Sequence, residues 1–221
     1  MSLPHQLTFV EEVVLLALDD HTGSLRHMPP LSFSYALAGA LIGDLAMLNR
    51  IDTDPDRLFV IDPKPTGDSL LDDALGRITA ETKSHPVAHW LTVFSQDSHR
   101  LEKAALERLA SRGILRVEEK KILWVFGVRR YPVVDNHEST EVKTRLSALI
   151  LGDDLPDPRD AVLVSLLSSC HLIPHVFPGT EHADRSKRIE SLARMDQIGR
   201  EVSSAVNRLT HELMAMNLIG L

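Results

Sequence analysis

LTFVEEVVLLALDDHTG, residues 7–23, decides how the rest of the chain is read. Thr8 followed three residues later by Glu11 is a capping-box pattern, in which hydroxyl and carboxylate each accept from an amide that the first helical turn leaves unpaired. Phe9, Val13, Leu16 and Ala17 then recur at helical spacing before Gly23 stops the run. The pattern predicts a helix.

Working outward, SFSYALAGALIGDLAMLNR (32–50) is apolar nearly all round, which predicts a second, central helix. Gly39 and Gly43 give it a small-xxx-small spacing that lets a neighbouring helix approach closely, and Asp44 with the short length assigns that spacing to a soluble core. RIDTDPDRLFVIDP (50–63) reads as a short strand pair. KPTGDSLLDDALGRI (64–78) returns to helix, with Asp68 or Ser69 as N-cap. A helix through HPVAHWLTVFS (85–95) follows. Another starts at Ser98, carries Leu101, Ala105 and Leu109 inward, and ends at Gly113. ILRVEEKKILWVFGVRRYPV (114–133) reads as a hairpin. Helices are expected at about 139–151, 158–173, 182–194 and 197–216, the last with Ile198, Val202, Ala205, Leu209 and Leu213 on one face. The fold class is mainly α: a single globular helical domain over residues 1–221 with short peripheral β-hairpins.

The totals agree with one well-cored domain, 221 residues at 43% hydrophobic content. Cys170 is the single cysteine, so no internal disulfide forms and a reducing cytosol fits best. No run approaches the roughly 18 apolar residues of a membrane span, and MSLPHQLT lacks the regions of a signal peptide. A net charge of −7 disfavours general attraction to nucleic acid. Its distribution is uneven: from His99 to Arg130 nine Lys or Arg face four Glu, a net of +5 that leaves −12 for the remainder.

That basic window contains EEKKILWVFGVRRYP (118–132). Ile122, Leu123, Trp124, Val125 and Phe126 are consecutive, whereas a strand buried on one face alternates apolar with polar. Something must cover the second face. Elsewhere the chemistry is sparse. His85/His89 and His171/His175 are four apart, but neither pair sits in an HExxH or CxxC context, and Pro174 interrupts the second. There is no GxSxG, no GxxxxGK[ST] and no GxGxxG. No catalytic residue, metal or cofactor is expected.

LTFVEEVVLLALDDHTG and PTGDSLLDDAL (65–75), together with LERLASRGIL (106–115) leading into a hairpin, closely resemble the Golgi phosphoprotein 3 family, whose members share an LTLxEEVxLLxL opening and a PTGDxLLDEAL helix. The resemblance runs over roughly residues 6–210 and is most specific in Leu7–Leu18 and Pro65–Leu75. It implies a mostly helical domain that acts as an adaptor rather than an enzyme. Eukaryotic members are peripheral membrane proteins that recognise phosphatidylinositol 4-phosphate and bind cytoplasmic tails of Golgi glycosyltransferases. By position, the apolar hairpin tip implicated there in membrane insertion and self-association corresponds to Ile122, Leu123, Trp124 and Val125. Lipid or a second copy would then cover the run, and a tryptophan beside cations suits the headgroup boundary.

The family's lipid pocket uses a Trp and an Arg leading into the second helix and two Arg on the helix before the hairpin. Here those four positions hold Pro29, Ala38, His99 and Glu102, and none matches. The expected anion site is therefore shifted, formed by His99, Arg100 and Lys103 with Arg26, Arg129 and Arg130, and it takes phosphatidylinositol 4-phosphate or another anionic phospholipid. The resemblance begins at about residue 7, so the family's basic N-terminal extension is expected to be missing, as in a bacterial-type member. The expected protein is cytoplasmic, membrane-peripheral and homo-oligomeric, with membrane-protein tails as further partners and no nucleic acid. Two alternatives are a winged-helix DNA-binding protein, reading Arg100, Lys103, Arg108 and Arg112 as a recognition face, and a purely protein-binding oligomeric scaffold.

Overall fold

The computed structural model describes residues 6–19, 22–28, 30–54, 56–122, 126–134, 137–152, 155–178, 183–193, 195, 197–198 and 200–208. Helix α1 (Phe9–Ala17) opens on the expected capping box: Glu11 N–H donates to the Thr8 hydroxyl (3.2 Å) and Thr8 N–H to the Glu11 carboxylate (2.9 Å). It ends well before Gly23, because Leu18 turns extended and bridges to Leu25. All nine residues of α1 are buried, Glu11 and Glu12 included, so it is a central helix rather than an amphipathic one. Helices α2 (Pro30–Met47), α5 (Ser98–Ser111), α6 (His137–Leu151) and α7 (Pro158–Ser169) pack around it.

Helix α2 (Pro30–Met47) is the second central element, and its two glycines let its neighbours in. A Cβ on Gly39 would stand 2.5 Å from Val202 Cγ2 and 2.8 Å from Leu166 Cδ2; one on Gly43 would press on the Phe9 ring at 3.2 Å. Gly39→Ala is accordingly expected to destabilise by about 1–3 kcal/mol through overpacking. Gly76→Ala, whose Cβ would meet open space in a helix, is expected to stabilise by about 0.5–1 kcal/mol. Thermal denaturation of the two variants checks both signs.

Strands β1 (Ile51–Thr53) and β2 (Leu58–Val60) pair antiparallel, and α3 (Ser69–Ala80) follows with Asp68 as its N-cap. Next come α4 (Val87–Ser95) and α5 (Ser98–Ser111), the latter burying Leu101, Ala105 and Leu109 as expected. β3 (Glu118–Ile122) and β4 (Phe126–Arg130) form the second antiparallel hairpin. Helices α6 (His137–Leu151), α7 (Pro158–Ser169), α8 (Ile173–Val176) and α9 (Ala183–Ala193) close the body with a helical stretch at 200–208.

The single helix expected over 158–173 is in fact broken. Leu172 N–H bonds back to Leu167 O (2.9 Å), His171 takes a positive φ of 59°, and Pro174 opens the next short helix. His171 and His175 therefore share no helix face. Ile198, Val202 and Ala205 are buried as expected, while Leu209 and Leu213 lie outside the described residues. Buried apolar side chains from Leu7 to Val206 form one continuous cluster. The architecture is the mainly helical one, with two short hairpins at its edges.

Candidate functional site

The β3–β4 ladder runs in register from Glu118 opposite Arg130, through Glu119 opposite Arg129, to Ile122 opposite Phe126. The register thus pairs acidic with basic positions at the base, a favourable cross-strand pattern. Among the described residues the two strands pack on each other and make no extensive contact with any helix. The hairpin is rooted by a Leu115–Val133 bridge, by Arg116 N–H to Pro132 O (3.0 Å) and by Tyr131 N–H to Gly23 O (2.8 Å). Val117 and Val134, 49% and 59% exposed, flank that root. Leu123, Trp124 and Val125 lie outside the described residues, as do the side chains of Ile122, Phe126 and Arg129.

Of the expected cations, Arg26, Arg100 and Lys103 are held by nearby carboxylates. Arg26 pairs with Asp19 (3.4 Å) beside the end of α1. Arg100 pairs with Asp73 (2.6 Å) and Asp97 (3.7 Å), and Lys103 with Glu107 (3.9 Å). Arg100 and Lys103 lie in the first turns of α5, about 16 and about 12 Å of helix before Ser111, after which the chain enters the hairpin that carries Arg129 and Arg130. His99 is exposed and Arg130 half-buried. The Arg100 and Lys103 pairs are exposed, so each stabilises by under about 1 kcal/mol and yields readily to a competing anion.

The first half of α2 does meet α4 and the start of α5: Ser34 Oγ donates to Ser98 Oγ (3.0 Å), and the Tyr35 and Thr92 hydroxyls are 3.2 Å apart. Ala38 is fully buried inside α2, and Pro29 lies outside the described residues. Glu102 is half-buried, and that burial raises its carboxyl against the opposing pull of His99. A carboxylate and one histidine are therefore what α5 offers at the two pocket positions.

Sequence reasoning missed a larger constellation. The two stretches Leu7–Leu18 and Pro65–Leu75 meet in a cleft of about 950 Å³ lined by Thr8, Glu11, Asp44, Asp68, Arg108 and Arg159. Arg108 grips the Asp68 carboxylate with both Nη atoms (2.6 and 2.9 Å) while Asp68 also caps α3. Burial pushes Asp68 up, but the Arg108 hydrogen bond and charge with the α3 amides outweigh it and hold the group below its usual range. Arg112 stands 3.7 Å from Glu11.

Deeper in, Glu12 is 2% exposed and bonded to Arg145 (3.1 Å) and Arg159 (2.6 Å). Arg145 bridges on to Asp160 (2.5 Å). Arg159 also donates to Leu7 O (2.6 Å) and covers the Phe9 ring at 4.2 Å. Burial raises the Glu12 carboxyl, with Arg159 and Arg145 opposing it. Asp44 accepts Phe9 N–H on both oxygens (3.0 Å each), and burial pushes it up to about 8 against that donation. These carboxylates are matched to guanidinium or amide donors, so the network's chemistry is that of a fastening. The signal available in the sequence was Glu11-Glu12 inside a wholly apolar helix, since buried carboxylates require cationic partners.

A helical body fastened by buried ion pairs, with one hairpin set apart from it, is the class of protein these features define. Residues 9–209 match the family model described as Golgi phosphoprotein 3 (GPP34), and the chain belongs to that family. It is 32% identical over 168 residues to vacuolar protein sorting-associated protein 74 of Eremothecium gossypii, covering 66% of this chain and 49% of the relative. The protein of the same name in Schizosaccharomyces pombe is 32% identical over 167 residues, covering 66% and 48%. The chain spans about half the length of the curated relatives it matches. Among the described residues no helix is long and apolar enough to cross a membrane.

Proposed function

We propose that this protein is a cytoplasmic, peripheral phospholipid-binding member of its family that docks on anionic membranes and self-associates through the β3–β4 hairpin. The observation that carries this reading is that, among the described residues, β3 and β4 make no extensive contact with any helix, combined with an apolar tip sequence set between Lys120, Lys121 and Arg129, Arg130. An apolar run of this kind, if left in water, favours burial in lipid or against a second copy, and neighbouring cations favour an anionic surface. The role is binding rather than catalysis. Cytoplasmic tails of membrane proteins are proposed partners in the same capacity.

The helix preceding the hairpin favours this reading over a nucleic-acid interface. Arg108 and Arg112 are turned onto Asp68 and Glu11, so two of the four cations of α5 are engaged within the body rather than aligned with Arg100 and Lys103 as a recognition face.

The test is flotation with phosphatidylcholine vesicles with and without phosphatidylserine or phosphatidylinositol 4-phosphate. Binding is expected only with the anionic lipids, falling as salt rises, and Leu123→Asp with Trp124→Asp is expected to abolish it. Unchanged flotation of that double variant would overturn the membrane role. Light scattering of the same variant reports self-association: a stable oligomer that loses its subunit contacts but never floats points to the hairpin as an interface alone.

A further inference from the structure

The described residues that follow α1, 18–19 and 22–26, are tied to one another and to the end of that helix. Leu18 bridges Leu25, Asp19 N–H donates to Ser24 O (2.9 Å), Gly23 N–H to Asp19 O (2.8 Å) and Arg26 N–H to Ala17 O (2.9 Å). The loop thus moves with α1. Gly23 O accepts from Tyr131 N–H (2.8 Å) at the root of β4.

Gly23 is held there by two independent constraints. Its φ of +63° lies in the left-handed region, and a Cβ would fall 2.3 Å from Pro132 N and 2.5 Å from the Tyr131 carbonyl carbon. Both obstructing atoms are backbone, so no side chain can rotate away. Any L-residue must either change the loop's conformation or push the hairpin root outward.

We propose that Gly23 is a positioning residue, a clasp that fixes the angle at which the β3–β4 hairpin leaves the helical body. The functional half of this rests on the reading of the hairpin as the membrane-facing element. Without the clasp the hairpin root keeps its packing through Leu115, Tyr131 and Val133 but loses its backbone tie to the loop after α1, and presenting its tip at one angle then costs more orientational freedom on binding.

The experiment compares Gly23→Ala and Gly23→Asn with Gly76→Ala, whose Cβ would meet open space. Amide hydrogen exchange and partition onto phosphatidylcholine–phosphatidylserine vesicles are read on each. In the wild type the Tyr131 amide is expected to be protected. Gly23→Ala should speed its exchange about tenfold or more while α2 amides are unchanged, and lower vesicle partition about tenfold. Gly76→Ala should do neither. Asn tolerates positive φ but carries a Cβ, so it should behave as Ala does.

Unchanged Tyr131 exchange in Gly23→Ala overturns the clasp, as does faster exchange with full vesicle binding. A wild-type-like Gly23→Asn also overturns it, since backbone conformation rather than contact with Pro132 would then be what Gly23 supplies. If Gly23→Ala does not fold, exchange of the wild type decides: a Tyr131 amide at the open-coil rate sinks the clasp, and a protected one supports it. Wild-type protein that binds no vesicles removes the membrane reading, and exchange alone then judges the joint.

Discussion

Arg159→Met is expected to lower the melting temperature by about 6–12 °C. Arg159 holds Glu12, the Leu7 carbonyl and the face of Phe9 at once, tying α7 to the first turn of α1. Removing one partner of a buried pair typically costs about 3–5 kcal/mol, because the remaining charge is left in a poor solvent. Arg145 still reaches Glu12, and Met keeps most of the contact with Phe9, so the lower end applies. For a chain of this length about 3 kcal/mol corresponds to that shift. Glu12→Gln with Arg159→Met should cost less than the sum of the two single changes, since the double variant leaves no uncompensated charge. Denaturant midpoints of the four proteins measure this, and strict additivity would mean that the two groups do not act as a pair.

The second large effect is on pH. An ordinary aspartate titrates near pH 3.9, whereas Asp44 is pushed up to about 8 in the folded chain. Below about pH 4 both states hold the proton and the group contributes nothing to the pH dependence. Between about 4 and 8 the folded state keeps a proton that the unfolded state has released, so stability falls as pH rises, by at most about 1.4 kcal/mol per pH unit. Above 8 both states are ionised and the slope ends. Asp44→Asn should flatten this decline and leave the variant more stable than the wild type in mild alkali. Asp68, held low by Arg108 against its burial, works in the opposite sense: its contribution is present above the usual aspartate range and lost as pH falls through the lowered value. Urea unfolding from pH 4 to 9 separates the two, and an Asp44→Asn curve parallel to the wild type would show that Asp44 is ionised throughout.

Local patterns were the legible part of this chain. Thr8 with Glu11, Asp68 before α3, and the Gly39–Gly43 spacing each encode their structure within a few residues, and each is found as expected. What depends on distant partners was not legible. Glu12 and Arg159 are 147 residues apart, and nothing near either announces the other. Arg108 and Arg112 belong by sequence to a basic face, yet the fold turns them onto Asp68 and Glu11. The break at His171 follows from a backbone bond that Pro174 only hints at. The candidate site divides the same way: the hairpin can be read from charged residues flanked by β-formers, whereas its register and the Gly23 joint cannot, the joint because its cause is a backbone from more than a hundred residues later.

Cys170 is fully buried at the end of α7, and burial pushes its thiol up to about 12. As the chain's sole sulfhydryl it stays protonated and out of reach of alkylating reagents in the native state. A Val134→Cys variant would accordingly take a maleimide dye or nitroxide at one place alone, beside the hairpin's root, with no need to strip a background thiol first.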